Sequence, residues 1–160
     1  DALAEIVGDS AIRLKWPNDV LLNDRKVCGI LVEPSRTGRS RLVIGVGVNV
    51  QNSFVAAPPE LKAVATSLCD HVGPQVLPVS VLLAILNAWE ERIRQLAAGP
   101  NDLVISWKRR CHLSDHRVRV TAGEQTTEGI CRGIDDGGAL LVETTNGLVR
   151  RLSGTVRRMD

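Results

Sequence analysis

A chain of 160 residues, 44% hydrophobic and 24% charged, suits one ordinary domain with room for a small appendix. Its formal net charge of +2 gives no ground for a nucleic-acid or membrane-surface protein, and no apolar run approaches the ~20 residues of a spanning helix. Cys28, Cys69, Cys111 and Cys131 are scattered with no C-x-x-C pair, which argues against zinc and a disulfide framework and for a reducing, cytoplasmic setting.

In chain order, residues 1–8 read as the last two turns of a helix with Gly8 just past its end. With no initiator Met, signal peptide or N-cap, the chain is expected to be a fragment whose N-terminal part is missing. Residues 11–15 and 20–22 read as short strands joined through Pro17-Asn18-Asp19, and Asn23-Asp24 makes a second tight turn, so residues 20–32 predict a hairpin. Residues 35–40 form a polar connection, and residues 41–50 are the clearest strand, β-branched at nearly every other position. Pro58-Pro59 precedes a helix expected over 60–71, ended by Gly73-Pro74. Ser80 is placed to cap a longer helix over 81–97, and a third, over 102–111, carries Trp107. The tryptophans are expected in the core. After Ser114 the texture changes to short alternating runs at 117–121, 127–134, 139–143 and 148–152, separated by Ala-Gly, Asp-Asp-Gly-Gly and Asn-Gly turns. That pattern predicts a small antiparallel barrel, and the expected division is 1–112 and 113–160.

Three pieces carry chemistry. In a strand over 41–50, alternation puts Gly45, Gly47 and Asn49 on one face and Val46, Val48 and Val50 on the other. The valine face reads as core. Two glycines on one face mark close approach by a ligand or by another piece of backbone, such as a packed helix. Lys26, with Gly29 three residues on, is a compact charge suited to a carboxylate or an α-phosphate, although a lone hairpin lysine is more often simply solvated. Asn18 and Asp19 fit a turn pair, or a polar group near phosphate-bound Mg²⁺. There is no Walker-type loop and no dinucleotide fingerprint.

Taken together, Lys15-Trp16-Pro17-Asn18-Asp19, then Arg25-Lys26-x-x-Gly29-Ile30-Leu31-x-Glu33, then Gly45-x-Gly47-x-Asn49-Val50 resemble the successive motifs of the biotin protein ligase family in order and spacing. Ala65-Thr66-Ser67-Leu68, the helix with Trp89, the stretch 107–111 and the terminal barrel are similar to the remainder. The resemblance implies an α+β catalytic domain like that of class II aminoacyl-tRNA synthetases, followed by a small SH3-like barrel. It implies ATP-dependent activation of biotin to biotinyl-5′-adenylate, with Mg²⁺, and transfer to a lysine of the biotin carboxyl carrier of a biotin-dependent carboxylase. By that resemblance Lys26 contacts the biotin carboxylate and α-phosphate and is the catalytic candidate. Gly29, Leu31, Gly45 and Gly47 line biotin, and Asn18, Asp19 and Asn49 lie near ATP and Mg²⁺. The family often ends in an arginine-bearing strand that helps with ATP, and Arg158 and Arg157 are the candidates for it here. The family's glycine- and arginine-rich adenylate loop lies upstream of residue 1, so weak biotin binding and little ligase activity are expected of these residues alone.

The rival readings are a lipoate ligase on the related fold, or a non-catalytic module whose barrel binds a partner or nucleic acid. A homodimer through an edge strand stays open, as does a DNA-binding region in the missing part. Cys111, His112 and His116 match no common metal spacing, and the Arg pairs near the end read as solvated charge.

Overall fold

The computed structural model describes residues 1–35 and 41–159, so the polar connection expected over 35–40 lies, apart from Ser35, outside the described residues. Its chain divides into two compact units: Asp1–Arg13 with Asn18–Ala88, and Leu14–Pro17 with Trp89–Asp160. The expected division at 112/113 rests on the change in sequence texture alone.

In the first unit, α1 (Ala2–Val7) ends where Gly8 takes φ 91°, and a short 3-10 turn leads into β1 (Ile12–Lys15). The strands β2 (Asp19–Leu22), β3 (Arg25–Pro34) and β4 (Leu42–Val48) complete a sheet in the order β1-β2-β3-β4. The β2–β3 hairpin turns on Asn23 and Asp24, both at positive φ (47° and 62°), the conformation that a two-residue turn matched to strand twist requires. Leu3, Ile12, Leu22, Val27, Cys28, Leu68 and Val81 form its core. The valine face of β4 is core only in part: Val48 and Val50 pack there, while Val46 is 40% exposed.

The helix expected over 60–71 is two pieces, α2 (Pro59–Val64) and α3 (Cys69–Val72). Between them the helix is interrupted, because N–H groups there and at the start of α3 bond elsewhere: Thr66 donates to the Lys26 carbonyl (3.0 Å), Leu68 to Asn49 (2.9 Å) and Cys69 to Val50 (2.9 Å). The Pro58-Pro59 and Gly73-Pro74 boundaries predict one continuous helix, but these tertiary hydrogen bonds break it. The helix α4 (Pro78–Ala98) starts before Ser80, whose N–H already bonds to Leu77 (3.1 Å). Proline fits the first helical position, where its missing N–H costs nothing.

The second unit holds α5 (Asn101–Arg110) and five antiparallel strands: β5 (Arg117–Ala122), β6 (Gln125–Ile134), β7 (Leu140–Thr144), β8 (Gly147–Arg151) and β9 (Thr155–Arg158). Their order is β8-β7-β6-β5-β9. The alternation of β5 is plain in its burial, with Val118 and Val120 inside and Arg117 and Arg119 outside. No alternating pattern in the sequence marks β9; only the resemblance implied a terminal arginine-bearing strand. It is four residues long, and its pairing with β5 (Val120↔Val156, Arg119↔Arg157) joins segments distant in sequence. Residues 14–17 belong here: Trp16 is 5% exposed in the core with Leu113, Cys131, Leu140 and Val142, and its indole N–H donates to the Gly138 carbonyl (3.1 Å). Trp107 packs against that core, whereas Trp89 is 40% exposed and is not a core residue. Among the described residues the cysteines are free and no helix is long and apolar enough to cross a membrane.

Candidate functional site

The site grows from an irregularity in the hairpin. Asp19 pairs with Gly29 and Val20 with Cys28, but Leu21 pairs with Lys26, so β3 carries one extra residue, Val27, in a β-bulge. Two consequences follow. Val27 and Cys28 are adjacent yet both buried (0% and 4% exposed), and Lys26 emerges on the same face as Gly29 and Leu31. Strict alternation along β3 would have put Lys26 and Gly29 on opposite faces.

Across to β4, Gly29 stands opposite Gly47 and Leu31 opposite Gly45. Directly opposed residues share a face, so Asp19, Gly29 and Gly47 make one row and Leu31 and Gly45 the next. A Cβ on Gly45 or Gly47 would meet nothing closer than a carbonyl oxygen at 3.9 Å, so among the described residues no helix packs on this ledge. A Cβ on Gly29 would lie 3.2 Å from the Lys26 ammonium, so the lysine lies across this position because glycine leaves it room.

Polar groups converge at the same place. The Lys26 ammonium sits 2.5 Å from an Asp19 carboxylate oxygen, with 48% and 28% of the two side chains exposed. The Ile30 N–H donates to the Asn18 carbonyl (2.9 Å), holding the Pro17-Asn18-Asp19 turn against β3. Asn18, Asp19, Lys26, Gly29, Leu31, Gly45 and Gly47, with Ile30 and Val46, line an open cleft of about 500 Å³, within the range of small-molecule sites. Seven of the residues picked from sequence are therefore brought together.

Two are placed otherwise. Asn49 does not line the cleft; its N–H donates to Val27 (2.9 Å), its amide N–H to the Thr66 carbonyl (3.0 Å), and its amide oxygen accepts from Asn52 (3.0 Å). Arg158 lies on β9 in the second unit. Sequence reasoning missed the support of Lys26, although Thr66 stood in a quoted motif. Thr66 is fully buried, its N–H reaches the Lys26 carbonyl, and its hydroxyl is 2.9 Å from His71 Nε2. On the inner side of the bulge, burial raises the Cys28 thiol pKa to about 11, outweighing the opposing pull of the Lys26 charge. Beside an ammonium half in solvent, such a surface can hold an anionic group end-on while a flat apolar body lies on the glycines.

Comparison with known proteins fits this geometry. Residues 2–49, which contain the cleft, match the biotin/lipoate A/B protein ligase family, and residues 113–157 match the biotin protein ligase C-terminal domain. The chain is 34% identical over 146 residues to the bifunctional ligase/repressor BirA of Bacillus subtilis, covering 89% of this chain and 45% of that protein. It is 37% identical over 131 residues to the biotin--[acetyl-CoA-carboxylase] ligase of Mycobacterium tuberculosis, covering 81% and 47%. It thus spans about half the length of these relatives. The biotin protein ligase of Aquifex aeolicus is 30% identical, with TM-scores of 0.86 for the apo structure and 0.84 for the complex with biotin and ATP. Each match covers 99% of this chain, and 70% and 66% of the respective structures. These matches to both parts of the chain, with the α+β architecture shared with a solved structure of which it covers 70% at 30% identity, show that it belongs to the biotin protein ligase family.

Proposed function

We propose that this chain forms the part of a biotin–protein ligase that holds the carboxylate end of biotin against the nucleotide. The protein would use ATP to convert biotin to biotinyl-5′-adenylate and pass the biotinyl group to a lysine of a biotin carboxyl carrier domain. In the first step a biotin carboxylate oxygen attacks the α-phosphorus and pyrophosphate leaves. In the second, the carrier amine attacks the acyl carbon and AMP leaves. The Lys26 ammonium neutralises the carboxylate and the α-phosphate as they approach, a preorganised charge of the kind worth several kcal/mol in a reaction step. Gly29, Gly45 and Gly47 leave space for the flat ring system, and Leu31 packs beside it. No protein nucleophile is required, because AMP is already a good leaving group, so positioning supplies the main effect.

Mg²⁺ would arrive on the nucleotide. Among the described residues no group of three or more His, Cys, Asp or Glu could hold an ion, and Asn18 with Asp19 offers two side-chain oxygens beside the phosphates. That set fits an ion held largely by phosphate and water. Asn49 and Arg158 are further nucleotide candidates. The division into residues 1–112, part of the catalytic domain, and 113–160, the barrel, belongs to the same proposal. So do a cytoplasmic location, a homodimer through the outer strand β4, and DNA binding by a region beyond the matched half.

The observation that carries the proposal is Lys26 and Asp19 over an open ledge of three glycines. Biotin titrated into the chain should shift the backbone amide resonances of Gly29 and Gly47, and an excess of lipoate should not displace it. In a ligase of the relatives' full length that carries these residues, pyrophosphate release should require both biotin and ATP. Amide shifts confined to the barrel, or displacement of biotin by lipoate, would overturn it. The match of residues 113–157 to a biotin ligase domain supports biotin over lipoate.

A further inference from the structure

The residue assigned to the reacting carboxylate sits on a bulge, and a bulge needs outside support. The Lys26 carbonyl accepts from Thr66 (3.0 Å) and the Val27 carbonyl from Asn49 (2.9 Å), while the Asn49 amide returns to the Thr66 carbonyl (3.0 Å). Thr66 is thus the strut behind Lys26. Its hydroxyl, fully buried, meets Nε2 of His71 at 2.9 Å. The same ring nitrogen lies 3.4 Å from the Arg25 guanidinium, and Nδ1 lies 3.4 Å from the Asn23 amide in the hairpin turn. His71 therefore touches the chain on both sides of Lys26: directly at Arg25, and through Thr66 at its carbonyl.

The two contacts at Nε2 favour a neutral ring. A guanidinium only donates, so the nitrogen it faces carries a lone pair to which the Thr66 hydroxyl donates, and the ring proton sits on Nδ1, whose approach to the donor-only Asn23 amide nitrogen is then a contact and not a hydrogen bond. A protonated ring has no lone pair there and turns an N–H toward the Arg25 cation. We propose that His71 is a positioning residue for Lys26: the neutral ring holds Thr66 and Arg25 in place, and protonation loosens the bulge that presents the Lys26 ammonium to its ligand.

The charged groups recorded around the ring are Arg25 on β3 and Asp70 beside it on α3. Burial and then Arg25 pull the imidazole below its ordinary pKa, with Asp70 opposing, so the ring is neutral at physiological pH. The proposal rests on the reading of Lys26 as the ligand of a carboxylate and a phosphate.

The test is a pH titration of the full chain, from about pH 5 to 8, following the His71 ring and the backbone amides of Lys26, Val27 and Gly29 by NMR. The other two histidines, His112 and His116, are in the second unit. In the wild type these amides should follow the same titration as the His71 ring. In Thr66→Val the ring should still titrate and the amides should cease to follow it. In His71→Gln the amides should be flat with pH. Biotin affinity should fall about tenfold as the ring protonates in the wild type, and should lose this dependence in His71→Gln. Flat amides in the wild type would overturn the proposal without any variant having to fold. So would unchanged coupling in Thr66→Val, or an unchanged pH dependence of affinity in His71→Gln. If the coupling holds but biotin does not bind at any pH, the biotin reading of the cleft fails and the hold of His71 on Lys26 stands.

Discussion

The ammonium of Lys26 comes within 3.2 Å of the point where a side chain on Gly29 would begin, although the two residues are three apart on one strand. Only the Val27 bulge allows this, by shifting β3 one residue against β2. The ion pair between Lys26 and Asp19 then sets the direction of the ammonium. Both side chains are partly in solvent, and a pair of that kind contributes on the order of 0–1 kcal/mol to stability. Its role is orientation.

Lys26→Ala should therefore leave the melting temperature nearly unchanged and, in a ligase of the relatives' full length that carries these residues, slow biotin-dependent pyrophosphate release by ~10²–10³-fold, the usual loss when one preorganised charge is removed. Asp19→Asn should likewise change stability by less than about 1 kcal/mol. Pyrophosphate release and a thermal melt on the same samples check both. A large drop in melting temperature for Lys26→Ala would mean that the lysine is structural.

Gly47→Ala separates function from stability in the opposite sense. Its Cβ would have 3.9 Å of clearance, and alanine costs less backbone entropy in a strand than glycine. Stability to urea should rise by about 0.5–1 kcal/mol. Biotin affinity should fall about tenfold or more, because the added methyl occupies the ledge. If affinity were unchanged, the ledge would not be the biotin wall.

In the barrel, the same substitution at Gly129 should do the reverse. There a Cβ would fall 2.1 Å from the backbone oxygen of Glu143, an atom of the neighbouring strand that cannot step aside. Overpacking of this kind costs about 1–3 kcal/mol. Gly129→Ala should lower the unfolding midpoint of the barrel in a circular-dichroism melt, while biotin-induced shifts at Gly29 persist.

Stability should also depend on pH through His71. Its pKa is lower folded than unfolded, so between the two values the unfolded chain binds the extra proton. The stability it contributes is complete above the unfolded value, about 6.5. It is lost as pH falls from there through the folded value. Urea midpoints of the wild type should fall with pH over that window more steeply than those of His71→Gln. Parallel curves would assign the loss to other groups.

Much of the site was legible because it is local. The Pro17-Asn18-Asp19 and Asn23-Asp24 turns, and the period-2 placing of Gly45 and Gly47, follow from short-range rules of φ/ψ and pleat, and the structure keeps them. The alternating strands of the barrel were readable for the same reason. The break between α2 and α3 was not, since the Pro-Pro and Gly-Pro boundaries mark only the ends of a helix, and the acceptors of Lys26, Asn49 and Val50 that interrupt it come from distant parts of the chain. Nor could local pattern mark β9, which the resemblance alone implied, because its partner lies more than thirty residues away in β5. Trp16 was legible as a core residue, but which of the two cores it joins was settled only by the fold.

The residue types needed for gripping an acid beside a phosphate, and their order along the chain, were written in the sequence by itself. Which face Lys26 occupies was decided only in three dimensions. A bulge is a mismatch in length between two paired strands, and no single strand carries the information that it will slip by one against its neighbour. The hold of Thr66 and His71 on that slip is likewise a matter of which donors and acceptors meet once the chain has folded.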